Sequence, residues 1–141
     1  MTTTPHRVFV YGTLKRGFPN HHYMDGAAYL GDARTVDAYP LVVGGRWFTP
    51  YLIPERGSGH RVKGELWEVP QNLMPALDEL ESVHLPTGYR RALVPVVVDA
   101  SASPAEAWAY FRKREHIAIV HTGNLEDYQD RRYTAAADRG V

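Results

Sequence analysis

Two short stretches of the chain carry residues that can do chemistry. The first is LMPALDELESVH, from Leu73 to His84. A helix turns by about 100° per residue, which puts Leu73, Leu77, Leu80 and His84 on one stripe. Glu81 falls on the flank of that stripe, between Leu77 and Met74, with Glu79 on the opposite side and Asp78 at the fringe. An acid beside an apolar stripe loses hydration, which favours its neutral form. Such a group can take up and return a proton near neutral pH. A carboxylate paired with Arg90, Arg91 or a backbone donor is the other reading, because structural ion pairs perturb acids too. The pattern alone leaves both open.

The second stretch is VFVYGTLKRGFPNHHYM, from Val8 to Met24. Its β-branched and aromatic start reads as a short buried strand, Val8 to Tyr11, that stops at Gly12. A strand that ends in such a turn presents successive N–H groups, and glycine lets the backbone approach a ligand closely. Gly12, Thr13 and Leu14 can therefore hold a carboxylate or an oxyanion by main chain. Tyr11 can add a hydroxyl. Lys15 and Arg16 can attract an anionic substrate, but they read first as solvated charge. Gly12 and Gly17 have the spacing of the two glycines in a phosphate-binding loop, but that motif needs Lys and then Ser or Thr next. Phe18 and Pro19 stand there instead. His21 and His22 are adjacent and point in different directions, and no other ligand-type residue stands at a metal-site spacing from them. No metal site is expected, and no G-x-S-x-G serine motif is present.

The elements that must position these residues come next. Ala33 to Gly44 reads as two strands around Tyr39-Pro40, Tyr51 to Ile53 as another, and Arg61 to Val69 as a strand around Gly64. Leu73 to His84 is the helix, with Pro75 tolerable in its first turn. ALVPVVVD and EAWAYF supply two more strands, and Pro95 pushes the first toward an edge or a bulge. NLEDYQDRR, from Asn124, reads as a short capped helix. Six or more strands with one main helix predict an α+β domain whose sheet curls toward a barrel.

Composition bounds the rest. The 141 residues predict one domain, with its core over about residues 7–112 and a less informative tail. The formal net charge is zero, so neither nucleic acid nor a membrane is an implied partner. There is no cysteine, which excludes disulfides, thiolate sites and a cysteine nucleophile. The first seven residues lack the apolar stretch of a secretory signal, and the expected location is cytoplasmic.

YGTL after a strand, with LDELES and GYRR further on, resembles the γ-glutamylcyclotransferase-like superfamily, most of all its γ-glutamylamine cyclotransferases (AIG2-like). VFVYGTLKRGFPNHHYM, YPLVVGG, GSGHRVKGELWEV, LDELES and YRR run in that family's order over roughly Val8 to Val98. The resemblance implies a small mixed β-barrel with flanking helices. It implies a substrate loop at Tyr11, Gly12, Thr13 and Leu14, a catalytic acid at Glu81 and a pocket tyrosine at Tyr89. The implied reaction is attack of a γ-glutamyl group's α-amine on its own γ-carbonyl, giving 5-oxoproline and a free amine or amino acid. The implied partner is a small γ-glutamyl substrate, and no metal or organic cofactor is needed. GGRWFTPYLIPERGSG departs from the amine-cyclotransferase pattern on the side expected to face the leaving group. Two alternatives stand beside this reading: the same fold removing a γ-glutamyl group from a biosynthetic intermediate, and a non-catalytic binder of a small carboxylate.

Overall fold

The computed structural model describes residues 6–81, 88–135 and 138–139. Seven strands form one sheet: β1 (His6–Val10), β2 (Ala28–Tyr39), β3 (Leu41–Gly44), β4 (Thr49–Leu52), β5 (His60–Val69), β6 (Arg90–Val98) and β7 (Ser103–Phe111). Five of them close on themselves in the order β1-β5-β2-β6-β7. Four of the contacts in that ring are antiparallel, and the closing one, Val8 to Trp108 between β1 and β7, is parallel. The result is the mixed barrel that the strand count and the resemblance imply. The β3–β4 hairpin extends it through Leu52 and Phe111.

Alternation along β1 explains the position of the core. Phe9 and Tyr11 pack in one cluster with Leu41, Leu66, Val96 and Phe111, while Val8 and Val10 face a second with Met24, Trp67, Leu77 and Tyr110. Period-two side-chain placement sorts the residues between two buried faces. Pro95 lies exposed on β6 opposite Glu106 of β7, just beyond the short β2–β6 pairing, where a missing N–H breaks no ladder.

Helical structure among the described residues is smaller than the sequence predicts. Helix α1 runs Met74–Leu80, preceded by a 3₁₀ turn at Gln71–Leu73. Two further 3₁₀ turns span His21–Met24 and Arg114–His116. Pro75 occupies the first turn of α1, as expected, and Met74 and Leu77 are its buried residues. The predicted helix from Leu73 to His84 is therefore shortened at both ends. Glu81 leaves the helical region at φ −85° and ψ 3°, and His84 lies outside the described residues. The helix expected at NLEDYQDRR is a clear correction, because 124–132 is irregular and extended. Its backbone groups bond outward instead. Leu125 N–H donates to Leu41 O at 2.7 Å, and Lys63 N–H donates to Glu126 O at 2.8 Å. Tyr128 is fully buried in the first core cluster. Such tertiary anchors outweigh a weak local helix preference.

Candidate active site

A cavity of about 200 Å³ opens where β1 ends. All six residues singled out from the sequence line it: Tyr11, Gly12, Thr13, Leu14, Glu81 and Tyr89. Three elements bring them together. β1 delivers the turn. The end of α1 delivers Glu81, whose N–H still donates to Leu77 O at 3.0 Å. The chain then returns so that Tyr89 N–H donates to Glu81 O at 3.1 Å, just before β6 begins.

The turn is compact and buried. Lys15 N–H donates to Gly12 O at 3.1 Å, and Asn20 N–H to Thr13 O at 2.9 Å. The Asn20 amide donates to Thr13 Oγ1 at 2.9 Å. His21 Nδ1 lies 2.9 Å from Leu14 O, which makes it the protonated ring nitrogen. The carbonyls of the turn are thus tied back into the protein. The N–H groups of Gly12, Thr13 and Leu14 meet no acceptor among the described residues. Gly12 is required by packing, because a Cβ there would stand 2.6 Å from Pro50 Cγ.

Glu81 differs from the other acids of α1. Asp78 accepts from the Tyr110 hydroxyl at 2.8 Å and pairs with Arg91 at 3.3 Å. Glu79 is exposed. Among the described residues the Glu81 carboxyl has neither an ion-pair nor a hydrogen-bond partner. The pairing with Arg91 that the sequence allows goes to Asp78 instead. Enclosure by the cavity wall pushes the Glu81 carboxyl up to about 8, with desolvation as the cause. Burial raises the hydroxyls of Tyr11 and Tyr89 above the usual phenol range, and the Glu81 charge raises them further. Both therefore stay protonated and serve as fixed donors. Tyr11 donates to Tyr110 O at 2.7 Å, and Tyr89 to Pro50 O at 2.6 Å. In this arrangement they shape the wall.

Several wall residues were not singled out from the sequence. Trp47, Thr49 and Tyr51 come from the GGRWFTPYLIPERGSG stretch, on the side where the departure from the family pattern was noted. Arg112 follows β7, and Tyr133 and Arg139 come from the tail. Lys15 is also misjudged by the solvated-charge reading. It is 5% exposed and donates to Asp127 Oδ1 at 3.1 Å and Tyr128 O at 2.8 Å. It ties the turn to the tail. Arg16 does face solvent, pairing with Glu65 and Asp32. The Pro19-Asn20 pair after a glycine is a turn signal that can point to Asn20.

The closed mixed barrel is the fold of AIG2-like proteins of known structure. The chain belongs to the family described as gamma-glutamyl cyclotransferase, AIG2-like, which matches residues 8–133. It is 41% identical to the gamma-glutamylaminecyclotransferase of Bos taurus over 126 residues, covering 86% of this chain and 74% of that protein. Identity to the Homo sapiens gamma-glutamylaminecyclotransferase is 41% over 102 residues, covering 69% and 65% of the two chains. The crystal structure of an AIG2-like protein from Mus musculus superposes with a TM-score of 0.83 at 30% identity, covering 97% of this chain and all of that one.

Proposed function

We propose that this protein cleaves a γ-glutamyl amide by cyclisation, releasing 5-oxoproline and a free amine, with Glu81 moving the protons. The observation that carries the reading is the unpartnered Glu81 carboxyl enclosed beside the free N–H groups of Gly12, Thr13 and Leu14. The relatives named above support the reaction class.

The substrate's α-ammonium has an ordinary pKa of about 8 and cannot attack while protonated. Glu81, pushed up to about 8, is matched to it, so a proton passes between them at little cost. The freed amine attacks the γ-carbonyl carbon, forming the lactam C–N bond and leaving an oxyanion. Main-chain N–H groups of the turn hold that oxyanion or the α-carboxylate. When the oxyanion collapses, the amide C–N bond breaks and the leaving nitrogen takes the proton that Glu81 carries; the ring nitrogen then gives its remaining extra proton to Glu81, which passes it to the released amine. Nucleophile and electrophile belong to one molecule, so the cavity's main contribution is to hold it folded. Such positioning is worth up to roughly 7–11 kcal/mol.

The test separates cyclisation from hydrolysis. A γ-glutamyl amide incubated in ¹⁸O-labelled water should yield unlabelled 5-oxoproline and no early glutamate. Acetylating the α-amine should stop the reaction. Labelled glutamate as the first product would overturn the proposal, because water would then be the nucleophile.

A further inference from the structure

The N–H groups of the turn fall into two sets. Those of Gly12, Thr13 and Leu14 are free among the described residues, while those of Lys15 and Arg16 are taken. Lys15 N–H returns to Gly12 O inside the turn. Arg16 N–H leaves the turn and donates to Glu65 Oε1 at 3.1 Å. Glu65 is a buried carboxylate that does not line the cavity and takes no part in the chemistry described above. A buried charge is costly unless donors satisfy it, and this one also accepts from Arg16 Nε at 3.2 Å and Trp67 Nε1 at 3.1 Å.

The place of Glu65 in the sheet gives these bonds a further consequence. Its backbone stands opposite Val10, where β1 ends, and opposite Asp32 of β2 on the other side. β1 and β5 approach closely there, because a Cβ on Gly64 would collide with Val10 O. Strands on both sides thus fix the Glu65 Cα. Its main chain lies against the residue that enters the turn, and its carboxylate holds the residue that leaves it. Residues 11–15 form a loop with both ends fastened to one residue. A second arm reaches the middle of that loop. The Trp67 indole that donates to Glu65 packs on the His21 ring, with 5.3 Å between centroids, and His21 Nδ1–H donates to Leu14 O at 2.9 Å. Main-chain donors stabilise an anion well only when they are aimed before it arrives.

We propose that Glu65 is a positioning residue, which clamps the turn from outside the cavity and fixes the aim of the Gly12, Thr13 and Leu14 N–H groups. The benefit to substrate binding rests on the cyclisation reading; the clamp itself does not.

The experiment reads the turn first and the ligand second. In ¹⁵N relaxation, the amides of Gly12, Thr13 and Leu14 should show order parameters of about 0.85 in the wild type and below about 0.6 in Glu65→Ala. Glu65→Gln keeps an oxygen for Arg16 N–H and Trp67 but offers Arg16 Nε a donor, so its values should fall between. Arg16→Met loses the side-chain bond, keeps the main-chain one and should stay close to the wild type. Affinity for 5-oxoproline, by calorimetry on folded protein, should follow the same order. It should weaken by about tenfold or more in Glu65→Ala, by roughly three- to fivefold in Glu65→Gln and by less than about twofold in Arg16→Met. The pH at which kcat/KM falls should not move, because Glu81 is untouched. A folded Glu65→Ala protein whose turn amides match the wild type, or whose turn loosens without weaker 5-oxoproline binding, overturns the inference. Should Glu65→Ala not fold, the same results in Glu65→Gln overturn it. If the wild type neither binds nor forms 5-oxoproline, the cyclisation reading fails, and the order parameters alone decide the clamp.

Discussion

The cavity has two walls of opposite character. One is built by the turn after β1 and the end of α1, and its polar groups are left open. The Glu81 carboxyl has no partner, and three N–H groups have no acceptor, among the described residues. The other takes Tyr133 and Arg139 from the tail, which is tied to the turn by side-chain bonds behind that lining. Lys15 is bonded to Asp127 and Tyr128, Arg131 donates to Gly17 O at 2.7 Å, and Asn20 holds the Tyr133 hydroxyl at 3.0 Å. Unsatisfied buried polar groups are costly. Under the proposed function the open wall receives the substrate, and the bonded tail supports the turn from behind.

The largest effect that can break this contrast is the loss of the open acid. Glu81→Gln keeps the shape and removes the proton acceptor. Turnover should fall by about 10²–10⁴-fold, the range ascribed to general acid–base catalysis. Glu79→Gln, on the exposed face of the same helix, should stay within about twofold. In the wild type, kcat/KM should decline toward tenfold per pH unit below about 8, where Glu81 becomes protonated in the free enzyme. Equal activities of the two variants in a 5-oxoproline assay would remove Glu81 from the reaction.

The same acid should cost stability. Its carboxyl is raised from an ordinary 4.5 to about 8 in the folded state. Between those pH values the folded protein holds a proton that the unfolded chain has lost. Stability therefore falls as pH rises through that window and levels off above it. Glu81→Gln has no such proton. It should match the wild type near pH 5 and exceed it near pH 9 by up to about 3 kcal/mol, discounted because the residue keeps some exposure. Urea melts at both pH values decide this. A variant less stable than the wild type at pH 9 would mean that the carboxylate is partnered after all.

On the supporting wall the expected sign is reversed. Lys15→Met strands Asp127 and the Tyr128 carbonyl and should lower stability by about 2–3 kcal/mol at any pH from 6 to 9. The loss should appear as a fall in the urea midpoint. A shift below about 0.5 kcal/mol would mark Lys15 as the solvated charge that the sequence suggests.

Legibility in the sequence follows the same division. The barrel strands show in alternation, and Glu81 shows as an acid on an apolar flank, because both signals are local and periodic. Gly12 to Leu14 shows because a strand stops at a glycine. The tail has no such period. Its residues are set one at a time by main-chain bonds to distant strands, such as His121 N–H to Val43 O at 2.7 Å and Leu125 N–H to Leu41 O at 2.7 Å. Lys15 was opaque for the same reason, since its partners lie more than a hundred positions away. Trp47 and Arg112 reach the cavity only through the pairing of β4 with β7. Helix propensity in NLEDYQDRR pointed to a state that burial of Tyr128 overrides.

The smallest predicted effect probes where the two walls touch. Tyr133 Oη accepts from the Asn20 amide at 3.0 Å, and the same amide donates to Thr13 Oγ1 at 2.9 Å. One side chain thus links the tail to the turn. Tyr133→Phe removes the hydroxyl and keeps the ring. The net worth of one such bond is about 1 kcal/mol, so the thermal midpoint should drop by only a few degrees. Its effect on the site should be more specific. The Asn20 amide keeps its bond to Thr13 but loses its second anchor, so the turn's N–H groups are held less firmly. Affinity for 5-oxoproline should weaken by about two- to fivefold, while the pH at which kcat/KM falls stays in place because Glu81 is untouched. Asn20→Asp combined with Tyr133→Phe should then cost less than the sum of the single changes, as expected for residues in one network. Strict additivity in product affinity would show that the tail supports the fold without bracing the turn.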